Sequence, residues 1–131
     1  MNATKKFAAA IIMLIAASAF TIPALIKDIK GKTDGSGGNP DLILYYGSTC
    51  PHCKTVEKYI ADNGLEQKLK IAQKEVFENQ SNNAELVDKA TACGIDTNKL
   101  GVPLLWDNLN SKCYEGDQEI INFLKQKAGI Q

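Results

Sequence analysis

Arginine is missing from this chain: all 15 cationic side chains are lysine, and they balance 15 acidic ones to a formal net charge of zero. The planar fork that grips phosphate in two places is therefore absent. The even balance also gives no field to draw in a polyanion, so no nucleic-acid partner is expected. Histidine and tryptophan each occur once, as His52 and Trp106. No internal repeat is visible, and 131 residues suit one domain of ordinary size. Four cysteines and one histidine leave a zinc site open by arithmetic alone, since such a site needs four ligands.

Charge is also missing from one long run, "FAAAIIMLIAASAFTIPALI", Phe7 to Ile26. At ~1.5 Å of rise per residue, a helix of this length crosses a ~30 Å hydrocarbon layer. Lys5 and Lys6 precede it, which favours an amino terminus in the cytoplasm and the remainder outside. Two readings fit residues 1–26. One is an uncleaved single-pass anchor, favoured by the apolar run continuing through Ile22, Leu25 and Ile26. The other is a signal peptide, for which Ala17-Ser18-Ala19 has the small-x-small form of a cleavage site. Both send the remainder across the membrane. Residues 27–40, rich in glycine, read as a flexible tether. The folded domain is expected over 41–131, with ten lysines against thirteen acids.

What is present in that domain is a regular alternation of elements. "LILYY", Leu42 to Tyr46, is apolar without alternation, as in a strand buried on both faces. Pro51 to about Gly64 reads as a helix with Val56, Tyr59 and Ile60 on one face and Asn63-Gly64 as its stop. A second strand is expected between Leu69 and Phe77. A second helix follows, with Ala84, Leu86, Val87, Ala90 and Cys93 on its inner face and Gly94 ending it. "GVPLLWD" and "KCYEG" are a third and a fourth strand. The last helix is expected to be capped by Asp117 and to turn Ile120, Ile121 and Leu124 inward. The order β-α-β-α-β-β-α implies a parallel first pair with a right-handed crossover and an antiparallel final hairpin. The expected fold is therefore α/β: a mixed four-stranded sheet flanked by helices, preceded by one transmembrane helix.

Cys50 and Cys53 stand where the first strand gives way to the first helix, separated by Pro51 and His52. Unpaired amides and the macrodipole make a helix mouth partly positive, so a thiolate is favoured at Cys50. Cys53 lies one turn further in, where a resolving thiol belongs. A protonated His52 would add to the stabilisation, and Pro51 stiffens the turn. A purely structural Cys50–Cys53 disulfide would close too short a loop to restrain the unfolded chain much. The rival reading is a non-catalytic module holding a metal or an iron–sulfur cluster through the same cysteines. It needs further ligands, and Cys93 and Cys113 form no knuckle of their own. Pro103 alone reads as a trans proline opening a strand.

"YYGSTCPHC", the order of elements, and Val102-Pro103 before a strand together resemble a glutaredoxin of the thioredoxin-like superfamily, over about Asp41 to Gly129. That resemblance implies thiol–disulfide exchange with protein substrates, Cys50 as nucleophile and Cys53 as resolving thiol. It implies a cis Pro103 packed against the pair, and a Val102 backbone that pairs with extended substrate. No cofactor beyond the redox-active disulfide is implied. Leu44 stands where thioredoxins carry a buried aspartate. Pro-His between the cysteines resembles bacterial periplasmic disulfide donors, and the glutathione-holding glycines of many glutaredoxins have no clear match at Tyr114 to Asp117. Glutathione use and the direction of exchange are thus left open.

Cys93 and Cys113 have three readings: a structural disulfide, as suits an exported domain, two buried free thiols, or a relay to the active pair. The sequence-based expectation is a membrane-anchored monomer with its catalytic domain on the periplasmic or extracellular side, coupled to a membrane electron-transfer partner.

Overall fold

The computed structural model describes residues 38–131. The apolar segment Phe7–Ile26 and most of the 27–40 tether lie outside the described residues. Among those described, no helix is long and apolar enough to cross a membrane.

Four strands form one mixed sheet in the order β2-β1-β3-β4. They are β1 (Leu42–Tyr46), β2 (Ile71–Glu75), β3 (Leu104–Asp107) and β4 (Lys112–Glu115). β1 pairs parallel with β2, from Leu42 opposite Ile71 to Tyr46 opposite Glu75. β3 pairs antiparallel with β1 and with β4. Among the described residues four helices accompany the sheet: α1 (Pro51–Asp62), α2 (Leu65–Lys68), α3 (Gln80–Ala92) and α4 (Gly116–Ala128). This arrangement is consistent with the thioredoxin-like fold that the motifs imply, with the short α2 as an addition.

The uninterrupted apolarity of β1 follows from its place in the middle of two cores. Leu42 and Leu44 point to one face and pack with Val56, Ile60, Leu65, Leu105, Ile120 and Leu124. Ile43 and Tyr45 point to the other and pack with Val76, Leu86, Ala90, Leu104 and Trp106. Alternate residues of one strand thus feed opposite faces, as a two-sided strand requires. Removing one such side chain, as in Leu44→Ala, is expected to cost ~2–5 kcal/mol.

Three local expectations are corrected. The last helix starts at Gly116 with Glu115 at the cap position, so Asp117 lies in the first turn rather than capping it. The cause is Gly116, whose φ of 76° turns the chain sharply out of β4. Its amide donates to the Pro103 carbonyl at 3.0 Å. In α3 only Leu86 and Ala90 are buried, while Ala84 and Val87 are exposed and Cys93 is half-buried. A single i, i+4 stripe meets the sheet there. β2 ends at Glu75, two residues before the expected end, because the Glu75 carboxylate accepts the amides of Phe77 and Glu78 and turns the chain.

The pairing registers bring four segments to one end of the sheet. These are the residues after β1, those after β2, those before β3 and those after β4. In sequence they are Gly47–Cys50, Val76–Phe77, Val102–Pro103 and Gly116–Asp117.

Candidate active site

Cys50 caps α1. Its backbone is extended (φ −83°, ψ 117°), Pro51 follows in the first turn, and the Cys50 side chain accepts from the Cys53 amide at 3.2 Å. The missing amide of proline costs nothing at a helix start, and the Lys54 amide donates to the Cys50 carbonyl at 3.1 Å. The loop before it is closed by the Cys50 amide donating to the Gly47 carbonyl at 3.1 Å. Cys50 is half-buried, whereas Cys53 is wholly enclosed, at 0% exposure. That difference decides which sulfur a macromolecule can reach.

Burial pushes the Cys53 thiol up to about 12; its hydrogen bond with Cys50 and the charge of Glu57 add to this, and a backbone hydrogen bond at Gly47 opposes it. Glu57 lies one turn further along α1, with Lys54 Nζ 2.9 Å from its Oε2. Leu44 is fully buried in β1.

The Val102–Pro103 peptide is cis, which corrects the trans reading of Pro103 taken alone. The Cys50 Sγ donates to the Val102 carbonyl at 3.5 Å. His52 points outward, and its Nδ1 stands 3.1 Å from Asp117 Oδ2. That contact holds the Asp117 carboxyl below the usual carboxylate range. Cys50, Pro51, His52, Cys53, Val102 and Pro103 therefore share one end of the sheet. Cys93 and Cys113 do not join them. They are linked to each other by a disulfide between the end of α3 and β4. Among the described residues, no three His, Cys, Asp or Glu side chains are grouped to hold a metal ion.

Three contributors escaped the sequence reading. Glu75 accepts from the Ser48 amide at 3.2 Å, the Phe77 amide at 2.8 Å and the Glu78 amide at 2.9 Å. The amides of Glu78, Phe77 and Ser48 hold its carboxyl below the usual range, against a smaller opposing effect of burial. One carboxylate thus ties the loop of the thiols to the loop after β2. The Phe77 ring lies against Gly47, where an added Cβ would overlap ring carbons and force the ring aside. Asp117 is the third. No local signal marks any of them, because each acts across the sheet.

No family model matches the chain, and no curated protein matches it. Among solved structures it is similar to the crystal structure of the glutaredoxin grx-1 from Archaeoglobus fulgidus. The identity is 20% and the TM-score 0.48, with 68% of this chain and 86% of that chain covered. A likeness that distant carries no function across.

Proposed function

We propose that this chain is a thiol–disulfide oxidoreductase acting on protein disulfides through Cys50 and Cys53. The observation that carries the reading is the Cys53 amide donating to the Cys50 sulfur at a helix mouth. It puts an accessible sulfur and an enclosed one a single turn apart, which is what a nucleophile and a resolving thiol need.

In the reductive direction, the Cys50 thiolate attacks one sulfur of a substrate disulfide. A Cys50–substrate disulfide forms and the other substrate sulfur leaves as a thiolate that takes up a proton. Cys53 then gives up its proton and attacks Cys50 Sγ. The substrate sulfur leaves, and the chain is left with a Cys50–Cys53 disulfide. Two electrons pass from the pair to the substrate. The same steps in reverse donate a disulfide, and a membrane electron-transfer partner would reset the pair in either case. The Val102 backbone beside a cis Pro103 is the edge on which an extended substrate segment lies.

We place this activity outside the cytoplasm, on a monomer tethered by Phe7–Ile26; Lys5 and Lys6 before that run support the orientation. Labelling of intact cells with a membrane-impermeant maleimide tests it: Cys50 reacts without lysis if the domain faces outward and only after lysis if it does not.

The chemistry is tested by trapping. Cys53→Ser accumulates a covalent complex with protein substrates that dissolves on reduction, and Cys50→Ser accumulates none. Absence of any trapped complex would overturn the reading. Direction follows from the reduction potential of the pair: near ~−120 mV marks a donor of disulfides and near ~−270 mV a reductant.

A further inference from the structure

We propose that the Phe77 ring is the side-chain-selective part of the substrate site, taking an apolar side chain one or two residues from the substrate's reactive cysteine. This rests on the exchange reaction proposed above and names what that site selects.

Among the described residues, three large apolar side chains are exposed: Phe77, Val87 and Leu109. Val87 lies in the middle of α3, and Leu109 in the β3–β4 turn at the far end of the sheet. Phe77 alone stands at the end that holds Cys50, and 56% of it is open to solvent. An aromatic ring left this open forgoes its burial energy unless something covers it.

Its position is built rather than incidental. The ring rests against Gly47, where a side chain would have to push it aside. The carbonyl of that same Gly47 accepts the Cys50 amide. Glu75 holds the Phe77 amide and the Ser48 amide with the same carboxylate oxygen. Ring and reactive loop are therefore fixed to one another through both a van der Waals contact and a shared hydrogen-bond acceptor.

The order of segments across this end of the sheet supplies the geometry. Phe77 follows β2, the Cys50 loop follows β1, and Val102 precedes β3, in the spatial order of those strands. A substrate joined to Cys50 has Val102 on one side and Phe77 on the other. Pairing with the Val102 backbone reads no side chain, because every residue offers the same amide and carbonyl. Selectivity has to come from a side chain, and extended chain advances ~3.3 Å per residue, so positions next to the substrate cysteine are those that reach the ring. The occupant is an aliphatic or aromatic side chain, since the ring offers surface and no polar handle.

The test uses the full reduced chain and two disulfide-linked peptide dimers that carry leucine or serine on both sides of the cysteine. Each rate is divided by the same protein's rate with hydroxyethyl disulfide, which corrects for any loss of folded protein. The wild type is expected to prefer the leucine peptide by about tenfold. Phe77→Ser is expected to erase that preference and Phe77→Leu to keep most of it. Equal rates for the two peptides in the wild type, or an undiminished preference in Phe77→Ser, would overturn the proposal. A wild type inert both as the reduced chain towards hydroxyethyl disulfide and as the oxidised chain towards 2-mercaptoethanol would instead bring down the exchange reaction beneath it.

Discussion

The chain carries two pairs of cysteines in opposite settings. Cys50 caps the amino end of α1, where the Cys53 amide donates to its sulfur, and its partner is a single turn away. Cys93 caps the carboxyl end of α3, where carbonyls predominate, and its partner Cys113 lies 20 residues on, in β4. The amino end of a helix carries partial positive charge and the carboxyl end partial negative charge. Loop length separates them further. Closing 20 residues restrains the unfolded chain by ~3 kcal/mol in the entropy model, whereas closing the Cys50–Cys53 loop restrains it little. The same side chain is thus suited to work in one place and to stapling in the other, by helix polarity and separation alone.

Removing Cys50 should have the largest effect. Cys50→Ser is expected to lower exchange with a protein disulfide by about a thousandfold or more, while its chemical denaturation midpoint barely moves. A variant with near-normal turnover would erase the distinction between the pairs. The converse change, Cys93→Ala with Cys113→Ala, should cost ~3 kcal/mol in denaturant unfolding and leave the exchange rate within about twofold of wild type. If it instead abolished exchange, Cys93 and Cys113 would belong to the reaction and not to the frame.

The hairpin that carries Cys113 also holds a buried charge. Asp107, at the end of β3, is fully buried. Burial raises its carboxyl, but the Asn110 side chain, the Leu109 amide and the charge of Lys127 more than offset this, so it is held below the usual value. A group whose folded value is depressed stabilises fully above its unfolded value of ~3.9 and loses that contribution as pH falls through the folded one. Stability should therefore drop as pH is lowered below ~4. Asp107→Asn should flatten that dependence and cost ~1–3 kcal/mol at pH 7. An unchanged acid dependence in the variant would remove Asp107 from the account.

The smallest effect is expected at the exposed His52–Asp117 contact. Asp117→Asn should shift the exchange rate by no more than about threefold, and by less in molar salt. A larger, salt-resistant change would mean that the contact acts on the sulfur itself.

Much of the frame was legible in the sequence because it is written locally. "LILYY" announces a strand between two cores, and Pro51 and Asn63-Gly64 bracket α1. Cys50 and Cys53 are legible for the same reason: four consecutive residues carry the motif. What was missed lies across the sheet. His52 and Asp117 are 65 residues apart, and Ser48 and Glu75 are 27 apart; only strand order joins them. Phe77 read as the end of a strand, because nothing local tells that Glu75 would take its amide. Asp117 read as a cap because its side chain suits one, yet Gly116 starts the helix first.

The proposed exchange depends most on Cys50 being the sulfur that reacts. It is tested most directly by treating the fully reduced chain with one equivalent of iodoacetamide at pH 7 and mapping the label by mass spectrometry. Labelling of Cys50 in about tenfold or greater excess over Cys53 is the expected result. Equal labelling, or label mainly on Cys53, would contradict the account.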